Sequence, residues 1–253
     1  MIVCKSPAEI EKMRAASALV AEVLGELALL VAPGVSSLDL DVAAERLVRD
    51  AGAEPAFKGY RGYPCTLCAS VNEQVIHGIP SKRPLVEGDI ISLDMGVKMN
   101  GFFGDSAITV PVGRVSDEAE RLLRVTRESL EKGIEQVRLG GRISDIGHAI
   151  QAHVEAHGFS VVREFVGHGI GASLHEEPQI ANYGDPGRGP RLAEGMTLAI
   201  EPMVNVGRPS VKMLSDGWTA VTRDGSLSAH FEHTVAVTTN GPLVLTRTAA
   251  RAR

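Results

Sequence analysis

The sequence predicts a mixed α/β fold made of two copies of one unit, in which two helices are followed by strands. Helical periodicity occurs twice, before residue 51 and again between residues 116 and 158, and strand-like segments follow each time. Residues 85–94 and 192–201 also share the pattern Leu-x-Glu-Gly, five residues, then an acid, at a constant offset of 107 residues. Chance could explain the helical periodicity but hardly this match. We therefore predict an internal repeat joined near Val115.

The four helices are predicted from capping signals and apolar spacing. The first, over residues 6–31, opens with Ser-Pro-Ala-Glu, which supplies an N-cap, a proline at N1 and a capping-box glutamate. A second is predicted over about residues 38–50, before a glycine. In the second half, a helix is predicted over residues 116–137, and Ser144 is predicted to cap another that stops at Gly158.

A β-hairpin is predicted between the two helical pairs. Residues 89–98 alternate in polarity, and residues 102–112 form the return strand. The turn between them contains Asn100-Gly101, which is a strong hairpin signal.

The register of this hairpin predicts where its acids lie. Side chains alternate between the two faces of a strand, and a two-residue turn places Asp94 opposite Ala107 and Asp105 opposite Gly96. The two aspartates then share one face as diagonal neighbours, about 7–8 Å apart at the backbone.

Acidic residues occupy matching positions in both halves. Glu201 is the counterpart of Asp94, and Glu232 begins a segment similar to the one that begins at Asp105. A pseudo-twofold axis between the halves would bring all four carboxylates together. Such acids repel one another and are costly to desolvate unless a cation compensates them. Each alone is better explained as facing solvent or pairing with arginine, whereas all four together with His168 indicate a metal centre.

The donor set predicts the chemistry of that centre. Oxygen-rich ligation with one imidazole favours Mn, Fe or Co over a structural zinc site. Two divalent ions, roughly 3.5–4 Å apart, would balance the four carboxylates. A water that bridges them would ionise near neutral pH and attack a carbonyl group. The acids therefore predict a hydrolytic function.

A glycine-rich segment over residues 167–178 carries two histidines, His168 and His175. Glycine lets the backbone come close to a ligand, and histidine is both a common metal ligand and a group that titrates near neutral pH. Taken alone, the segment is equally consistent with a turn that bears two solvated histidines. The carboxylates elsewhere in the chain favour the hydrolytic interpretation.

Length and composition exclude several classes of protein. The chain has 253 residues, of which 44% are hydrophobic and 23% charged, as in soluble globular proteins of one large domain or two small halves. Its net charge of -5 argues against broad nucleic-acid or anionic-membrane binding. No apolar run reaches the roughly 20 residues of a membrane span, and no signal peptide opens the chain. The three cysteines, including the lone Cys65-x-x-Cys68 pair, are predicted to be reduced thiols of a cytoplasmic protein.

Six motifs spread along the chain are highly specific in combination. They are His77-Gly-Ile-Pro, Gly88-Asp-x-x-x-x-Asp94, Gly104-Asp105, Gly167-His-Gly-Ile-Gly with His175-Glu-Glu-Pro, Ile200-Glu-Pro-Met-Val-Asn and Glu232-His-Thr. With these motifs the chain resembles, from about Lys5 to Leu245, the type I methionine aminopeptidases of the bacterial, extension-free kind in metallopeptidase family M24.

The resemblance implies a fold and a domain organisation. The fold is the pseudo-twofold "pita-bread" α/β (α+β) fold, with a central, curved antiparallel sheet and helices outside. Residues 1–253 are expected to form one catalytic domain, with the two repeats at about residues 6–113 and 116–245.

The resemblance also implies an activity: removal of the initiator methionine from nascent proteins whose second residue is small. A water or hydroxide bridging two divalent ions would be the nucleophile. Asp105 and Glu232 are expected to bridge the metals, and Glu201 to relay a proton. His175 is expected to stabilise the carbonyl oxygen as negative charge develops, and His77 to contact the scissile amide. The expected metal ligands are Asp94, Asp105, His168, Glu201 and Glu232.

The resemblance implies an apolar, aromatic methionine pocket, which Tyr60, Tyr63, Cys68, Met203 and Trp218 would line. For the two tyrosines, simple packing is the alternative.

Three positions depart from the bacterial pattern: Phe57 in the pocket replaces a cysteine, Leu174 in the pocket replaces a phenylalanine, and His230 replaces a glutamine. Asn72 and Ser228 occupy positions that the family uses for a monovalent cation.

The remaining histidines and the tail carry weaker signals. His148, His153 and His157 lie on one helix without a His-Glu-x-x-His pattern, which predicts solvated or packed side chains. His233 is expected to face away from the ligand that precedes it.

The basic tail from Thr246 onwards is expected to be a frayed end, with ribosome contact as the alternative. The expected partners are the N-termini of nascent chains and, transiently, the ribosome, with no specific nucleic acid or membrane, for a monomer.

Three rival functions fit the sequence less well. A proline-specific peptidase of the same fold would carry a sizeable extra N-terminal domain, and the first helix here begins near residue 6. A metal-free binding protein recruited to ribosomes or RNA would have lost ligands and would show a basic surface, which the acidic balance does not predict. A creatine-hydrolysing relative would likewise lack the metal ligands.

Overall fold

The computed structural model describes residues 1–247 and confirms the mixed α/β class. Residues 248–253, most of the basic tail, lie outside the described residues. Four α-helices and fifteen strands make up the described part of the chain, together with one short 3-10 helix at Tyr60–Gly62. The helices are α1 (Pro7–Leu30), α2 (Ser37–Asp50), α3 (Asp117–Ile134) and α4 (Ile143–Ala156).

The strands are mostly short, and two long ones form the predicted hairpin. In chain order they are β1 (Glu54–Pro55), β2 (Cys68–Val71), β3 (Gln74–Ile76), β4 (Ile90–Met99), β5 (Phe102–Pro111), β6 (Ser160–Val161), β7 (Gly167–Gly169), β8 (Glu176–Ile180), β9 (Thr197–Ile200), β10 (Met203–Asn205), β11 (Val211–Met213), β12 (Ala220–Thr222), β13 (Ser228–His230), β14 (Glu232–Thr238) and β15 (Gly241–Val244).

The helix starts follow the predicted caps with one exception. Ser6 caps α1, where its side chain accepts from the backbone N–H of Glu9 and the Glu9 carboxylate accepts from the Ser6 N–H at 2.8 Å. Ser116 caps α3 as predicted. The prediction that Ser144 caps α4 is wrong. Asp145 instead accepts from the N–H of the true N-cap residue, Arg142, at 2.7 Å.

The hairpin of β4 and β5 has the predicted register. Asp94 faces Ala107 and Asp105 faces Gly96 across the ladder. The two-residue turn places Asn100 at φ 54° and Gly101 at φ 81°, the left-handed conformation that a tight hairpin turn requires. The two aspartates therefore lie on the same face of the sheet.

One nine-stranded antiparallel sheet carries both halves of the chain. Its main path runs β1-β4-β5-β14-β9-β7-β8, with β2 paired to β4 and β15 to β14. The halves meet where β5 pairs with β14, with Glu232 opposite Ala107. The four acid-bearing strands or strand ends are therefore neighbours in the order β4, β5, β14, β9. The repeat boundaries themselves stay a prediction.

The helices bury most of their apolar faces against this sheet in two clusters, and the start of α1 adds Ile10 and Met13 to a third. Helices α1 and α2 pack with β4 side chains such as Leu93, and helices α3 and α4 pack with Leu198 and Val235 from β9 and β14. Apolar burial of this kind is the main term that stabilises the fold. Because the helices cover one face of the sheet, the acids are left on the other.

The two halves differ in how their acid-bearing strands are connected. A two-residue turn joins β4 to β5, whereas residues 201–231 separate β9 from β14. That longer connection contributes to two three-stranded sheets, β13-β10-β6 and β11-β12-β3. Among the described residues, no helix is both long and apolar enough to cross a membrane.

Candidate metal centre

Five buried side chains converge on the uncovered face of the central sheet. Asp94 lies on β4, Asp105 on β5, His168 on β7, Glu201 directly after β9, and Glu232 at the start of β14. Their exposed fractions range from 2% for Glu232 to 8% for His168. The sequence-based prediction thus named five residues that the structure brings to one place.

Distances within the cluster are compatible with a shared cation. One ligand atom each from Asp105, His168 and Glu232 lies within 4.8 Å of the others. The Nε2 atom of His168 is 4.0 Å from an oxygen of Asp105 and 3.7 Å from an oxygen of Glu201. These separations exceed hydrogen-bond length, so the ring and the carboxylates surround a common space.

The unpaired oxygens of the cluster show that its residues fit divalent metal ions. Asp94, Asp105 and Glu232 each have one buried carboxylate oxygen without a hydrogen-bond partner. Leaving such atoms unpaired costs free energy, and bound cations would compensate it. An oxygen-rich set with one imidazole suits Mn, Fe or Co.

The electrostatics of the cluster point the same way. Burial raises the pKa of Asp105 to about 7. Burial and, secondarily, repulsion from neighbouring carboxylates raise the pKa values of Asp94, Glu201 and Glu232 well above their usual range. Without cations these acids retain protons, and a bound cation takes the place of those protons.

Hydrogen bonds behind the cluster fix its backbone across the junction of the halves. The hydroxyl of Thr234 donates to the Asp105 carbonyl at 2.8 Å and accepts from the Asp105 N–H at 3.1 Å. Ser106 donates to the Glu232 carbonyl at 2.6 Å. On the His168 ring, Nδ1 lies 2.8 Å from the Gly169 carbonyl, so Nε2 is the nitrogen directed towards the acids. Such outer contacts orient metal ligands.

His175 lies beside the cluster at the cavity wall. Its ring centroid is 4.1 Å from that of His168, and its Nδ1 is 3.0 Å from the Tyr60 hydroxyl. Burial, followed by the nearby His168 and Arg61, lowers the pKa of His175 to about 4. The ring is therefore neutral at physiological pH.

His77 approaches the same cavity from the turn after β3. Its ring meets Phe165 and Trp218 edge-on, with centroid distances of 5.6 and 6.4 Å. Burial lowers the pKa of His77 to about 4. Its backbone has φ 59°, a left-handed conformation that non-glycine residues rarely adopt. The following Gly78 is packed so closely that an added Cβ would lie 2.9 Å from Ser70 Cα.

A cavity of about 130 Å³ extends from the acids to an aromatic wall. Six of the seven predicted pocket residues line it, and Arg61 and Ile76, which the sequence did not indicate, line it as well. The predicted lining residues that the cavity contains are Phe57, Tyr60, Tyr63, Cys68, Leu174 and Trp218.

Met203 is the predicted pocket residue that does not line the cavity. It is fully buried in an adjoining apolar cluster with Ile76 and Val162. The sequence around Pro202 is compatible with a methionine in the cavity lining or in the adjoining cluster. The packing of β10 places it in the cluster.

His230, the replacement for the family's glutamine, lies against the acid cluster. The side chain is 1% exposed, and its Nε2 is 3.7 Å from an oxygen of Glu201. Neither ring nitrogen has a hydrogen-bond partner. Burial, and secondarily His77, lower the pKa of His230 to about 3, so that the ring is neutral.

The predicted monovalent-cation residues are neighbours, but their polar groups are engaged. Asn72 donates from its side chain to Asp89 at 2.7 Å and accepts from the Ile90 N–H at 3.0 Å. The Ser228 N–H donates to the Asn72 carbonyl at 2.9 Å, and the Ser228 hydroxyl to the Val204 carbonyl at 3.3 Å. The cation itself stays a prediction.

Known metallopeptidases are similar to this chain in sequence and in structure. Residues 11–239 match metallopeptidase family M24. Methionine aminopeptidase 1 of Bacillus subtilis is 55% identical over 247 residues, which cover 98% of this chain and 100% of that protein. The crystal structure of methionine aminopeptidase from Thermotoga maritima has a TM-score of 0.96 at 49% identity, and the match covers 98% of this chain and 100% of that one.

A more distant likeness concerns the fold alone. Prolidase from Pyrococcus horikoshii has a TM-score of 0.79 at 21% identity, covering 100% of this chain and 66% of that one. Together these structures confirm the predicted pseudo-twofold fold class.

Proposed function

The chain belongs to metallopeptidase family M24, and from that membership we propose that it is a type I methionine aminopeptidase. Its substrates would be polypeptides with an N-terminal methionine followed by a small residue. The observation that carries the proposal is a single cavity in which buried acids at one end meet an aromatic wall at the other. The high identity to methionine aminopeptidases over nearly the whole chain supports it.

Five side chains would hold a pair of divalent ions, namely Asp94, Asp105, His168, Glu201 and Glu232. Asp105 and Glu232 would be the ligands shared by both ions, because they lie on the two central strands β5 and β14, where Glu232 pairs with Ala107 and Asp105 is its diagonal neighbour. When bound, such ions supply a water of lowered pKa and polarise the scissile carbonyl.

Glu201 is proposed to accept and return a proton during the reaction. Its carboxylate is buried, with one oxygen 3.7 Å from His168 Nε2 and the other 3.7 Å from His230 Nε2. Because the two oxygens face different rings, one could hold a metal ion while the other takes up and returns a proton. A carboxylate positioned in this way can act as a general acid or base.

His175 and His77 are proposed to act on the substrate as neutral hydrogen-bond donors. With the Tyr60 hydroxyl donating to Nδ1, the ring proton of His175 lies on Nε2 and can stabilise the carbonyl oxygen as its charge grows. His77 would contact the scissile amide from the other side. Both rings are neutral because burial lowers their pKa values to about 4.

The apolar wall is proposed to receive the methionine side chain. Phe57, Tyr63, Cys68, Leu174 and Trp218 line this end, and Trp218 packs edge-on against Tyr63 with centroids 5.1 Å apart. An unbranched, polarizable thioether suits contact with aromatic edges.

Substrate peptides test the proposal directly. We expect cleavage of Met-Ala-Ser and Met-Gly-Met-Met, with little cleavage of Met-Lys or Met-Leu peptides, measured as free methionine. The result that would overturn the proposal is efficient release of any residue that precedes proline, without preference for methionine.

The cellular setting is also a proposal. We propose that the chain acts in the cytoplasm as a monomer on nascent polypeptides, with transient ribosome contact, because an initiator methionine is first exposed on nascent chains. Co-sedimentation of the full chain with translating ribosomes, and its elution mass in solution, test the two statements.

A further inference from the structure

A second group of metal-ligating side chains lies on the outer surface, away from the cavity. Glu128 lies on α3 and His153 on α4, and His157 is the C-cap residue of α4. One ligand atom from each lies within 4.8 Å of the others. None of the three lines the cavity, so the group is independent of the proposed peptidase function.

The two histidines have the spacing and orientation of a chelating pair. Residues four apart on a helix lie on one face, and the rings of His153 and His157 have centroids 4.5 Å apart. The Nδ1 atom of His157 is 2.8 Å from the His153 carbonyl. A backbone carbonyl bonded to one ring nitrogen fixes the tautomer and leaves the other nitrogen as a ligand.

Glu128 completes the group from the neighbouring helix. Its Oε2 atom lies 3.2 Å from Nε2 of His153. The side chain of His153 is 17% exposed and that of Glu128 is 42% exposed, so an ion could reach the group from solvent without any opening of the fold. A buried hydrogen-bonded pair would not offer that access.

One cation of the protein already competes for Glu128. Arg124 Nη1 lies 3.3 Å from Oε1 of Glu128. The same Nη1 lies 3.5 Å from Oε2, the oxygen that the His153 ring approaches, so an incoming ion would displace the guanidinium from this carboxylate. Arg124 is exposed, and an exposed ion pair of this kind contributes only about 0.2–1 kcal/mol.

We propose that Glu128, His153 and His157 form a peripheral site for a divalent ion that prefers imidazole, such as Zn²⁺. Two nitrogens and one oxygen from the protein would leave a position for water, as in open zinc sites. This donor set contrasts with the oxygen-rich cavity, which suits Mn, Fe or Co. An ion there would join the end of α4 to α3.

The test counts zinc ions bound by the full chain in equilibrium dialysis against Zn²⁺. The double variant His153→Ala/His157→Ala is expected to bind one equivalent fewer than the parent and to retain the parent's peptidase activity. The matched control is His148→Ala, which removes an exposed histidine of the same helix outside the group and should leave the count unchanged. Equal zinc counts in the parent and the double variant would overturn the proposal.

Two single variants keep the test decisive if the double variant folds poorly. Glu128→Gln should weaken zinc binding at this site by at least the roughly tenfold that loss of an outer hydrogen-bond partner causes at other metal sites. Arg124→Ala removes the competing cation and should strengthen it by about two- to fivefold. A purely structural hydrogen-bond cluster predicts no change in zinc affinity for either variant, and that result would also overturn the proposal.

Discussion

The cavity has two ends that differ in chemistry and in the structure that supports them. At the acidic end, Asp94, Asp105 and Glu232 lie on paired strands of one sheet. At the apolar end, Tyr60 belongs to a short 3-10 helix, and Leu174 and Trp218 lie between strands. The acidic end is therefore fixed by ladder register, whereas the apolar end, apart from Cys68 on β2, depends on how separate segments of the chain pack. This difference predicts that variants of the two ends fail in different ways.

The largest effect is expected at the acidic end. Glu232→Gln should lower kcat/KM by roughly 10³-fold or more, because Lewis-acid catalysis is worth several kcal/mol, and should reduce the metal content per chain. Metal analysis beside kinetics measures both. Glu194→Gln changes an exposed acid of the same half and serves as the control. Full metal content with full activity in Glu232→Gln would contradict the assignment of this end.

The boundary between the ends lies at His175. We expect His175→Ala to lower kcat by about 10²–10³-fold, as loss of an oxyanion donor does, while the metal content stays intact. His168→Ala should instead reduce metal occupancy. If both variants lose metal equally, the division between ligand and catalyst is wrong.

Metal removal should destabilise the fold through the acidic end. Binding at ~1,000 times Kd contributes ~4 kcal/mol, which raises Tm by roughly 10 °C for a chain of this size. Differential scanning calorimetry of the chelated protein with and without Mn²⁺ measures the shift. An unchanged Tm would argue against a metal site there.

The pH dependence of that stability has a defined sign. Because burial raises the pKa of Asp105 to about 7 and those of Asp94, Glu201 and Glu232 well above their usual range, the metal-free folded state keeps carboxyl protons that the unfolded chain has lost by pH 6.5. Its stability should therefore fall as pH rises from 6.5 to 8. Buried His77 and His175, with pKa values lowered to about 4, act in the opposite direction, and their effect fades as pH rises through the ordinary histidine pKa of about 6.5. The metal-loaded protein should not lose stability across this window.

The smallest effects are expected at the apolar end. Norleucine in place of methionine at the first substrate position should be cleaved more slowly yet detectably, since a small change in an apolar pocket is worth only ~1–3 kcal/mol. Trp218→Ala should raise KM more than it lowers kcat. Met203→Leu, which alters a buried residue outside the lining, should change KM little. A larger change in KM for Met203→Leu than for Trp218→Ala would show that the residues of the apolar wall are assigned incorrectly.

The same difference explains what the sequence could predict. The pattern shared by residues 85–94 and 192–201, the similar segments that begin at Asp105 and Glu232, and the Asn100-Gly101 turn together predict where the acids lie, because register converts sequence position into a face of the sheet. The apolar wall has no such rule. Ile76 and Arg61 line the cavity without any local signal, and Met203, which a motif pointed to, does not line it. These residues lie in short elements, and packing between distant parts of the chain decides whether their side chains reach the cavity.

The caps show a similar limit. Ser144 looked like an N-cap because its residue type is right, yet its hydroxyl accepts from the Arg188 N–H at 2.7 Å and the helix begins one residue earlier. One carboxylate oxygen of Asp145 accepts from the Arg142 N–H, and the other accepts from the Gly187 N–H, each at 2.7 Å. The 187–188 segment is distant in sequence from the start of α4, and its contacts with Ser144 and Asp145 decide which residue is the N-cap.

The backbone at His77 has an evolutionary consequence. A non-glycine residue held at φ 59° costs of order 1–3 kcal/mol, and the packing of Gly78 against the neighbouring strand maintains that conformation. Replacing His77 by glycine would relieve the strain while removing the ring from the cavity. A laboratory selection for heat resistance alone would thus favour a sturdier but less active protein at this position, so only selection for turnover can keep the histidine there.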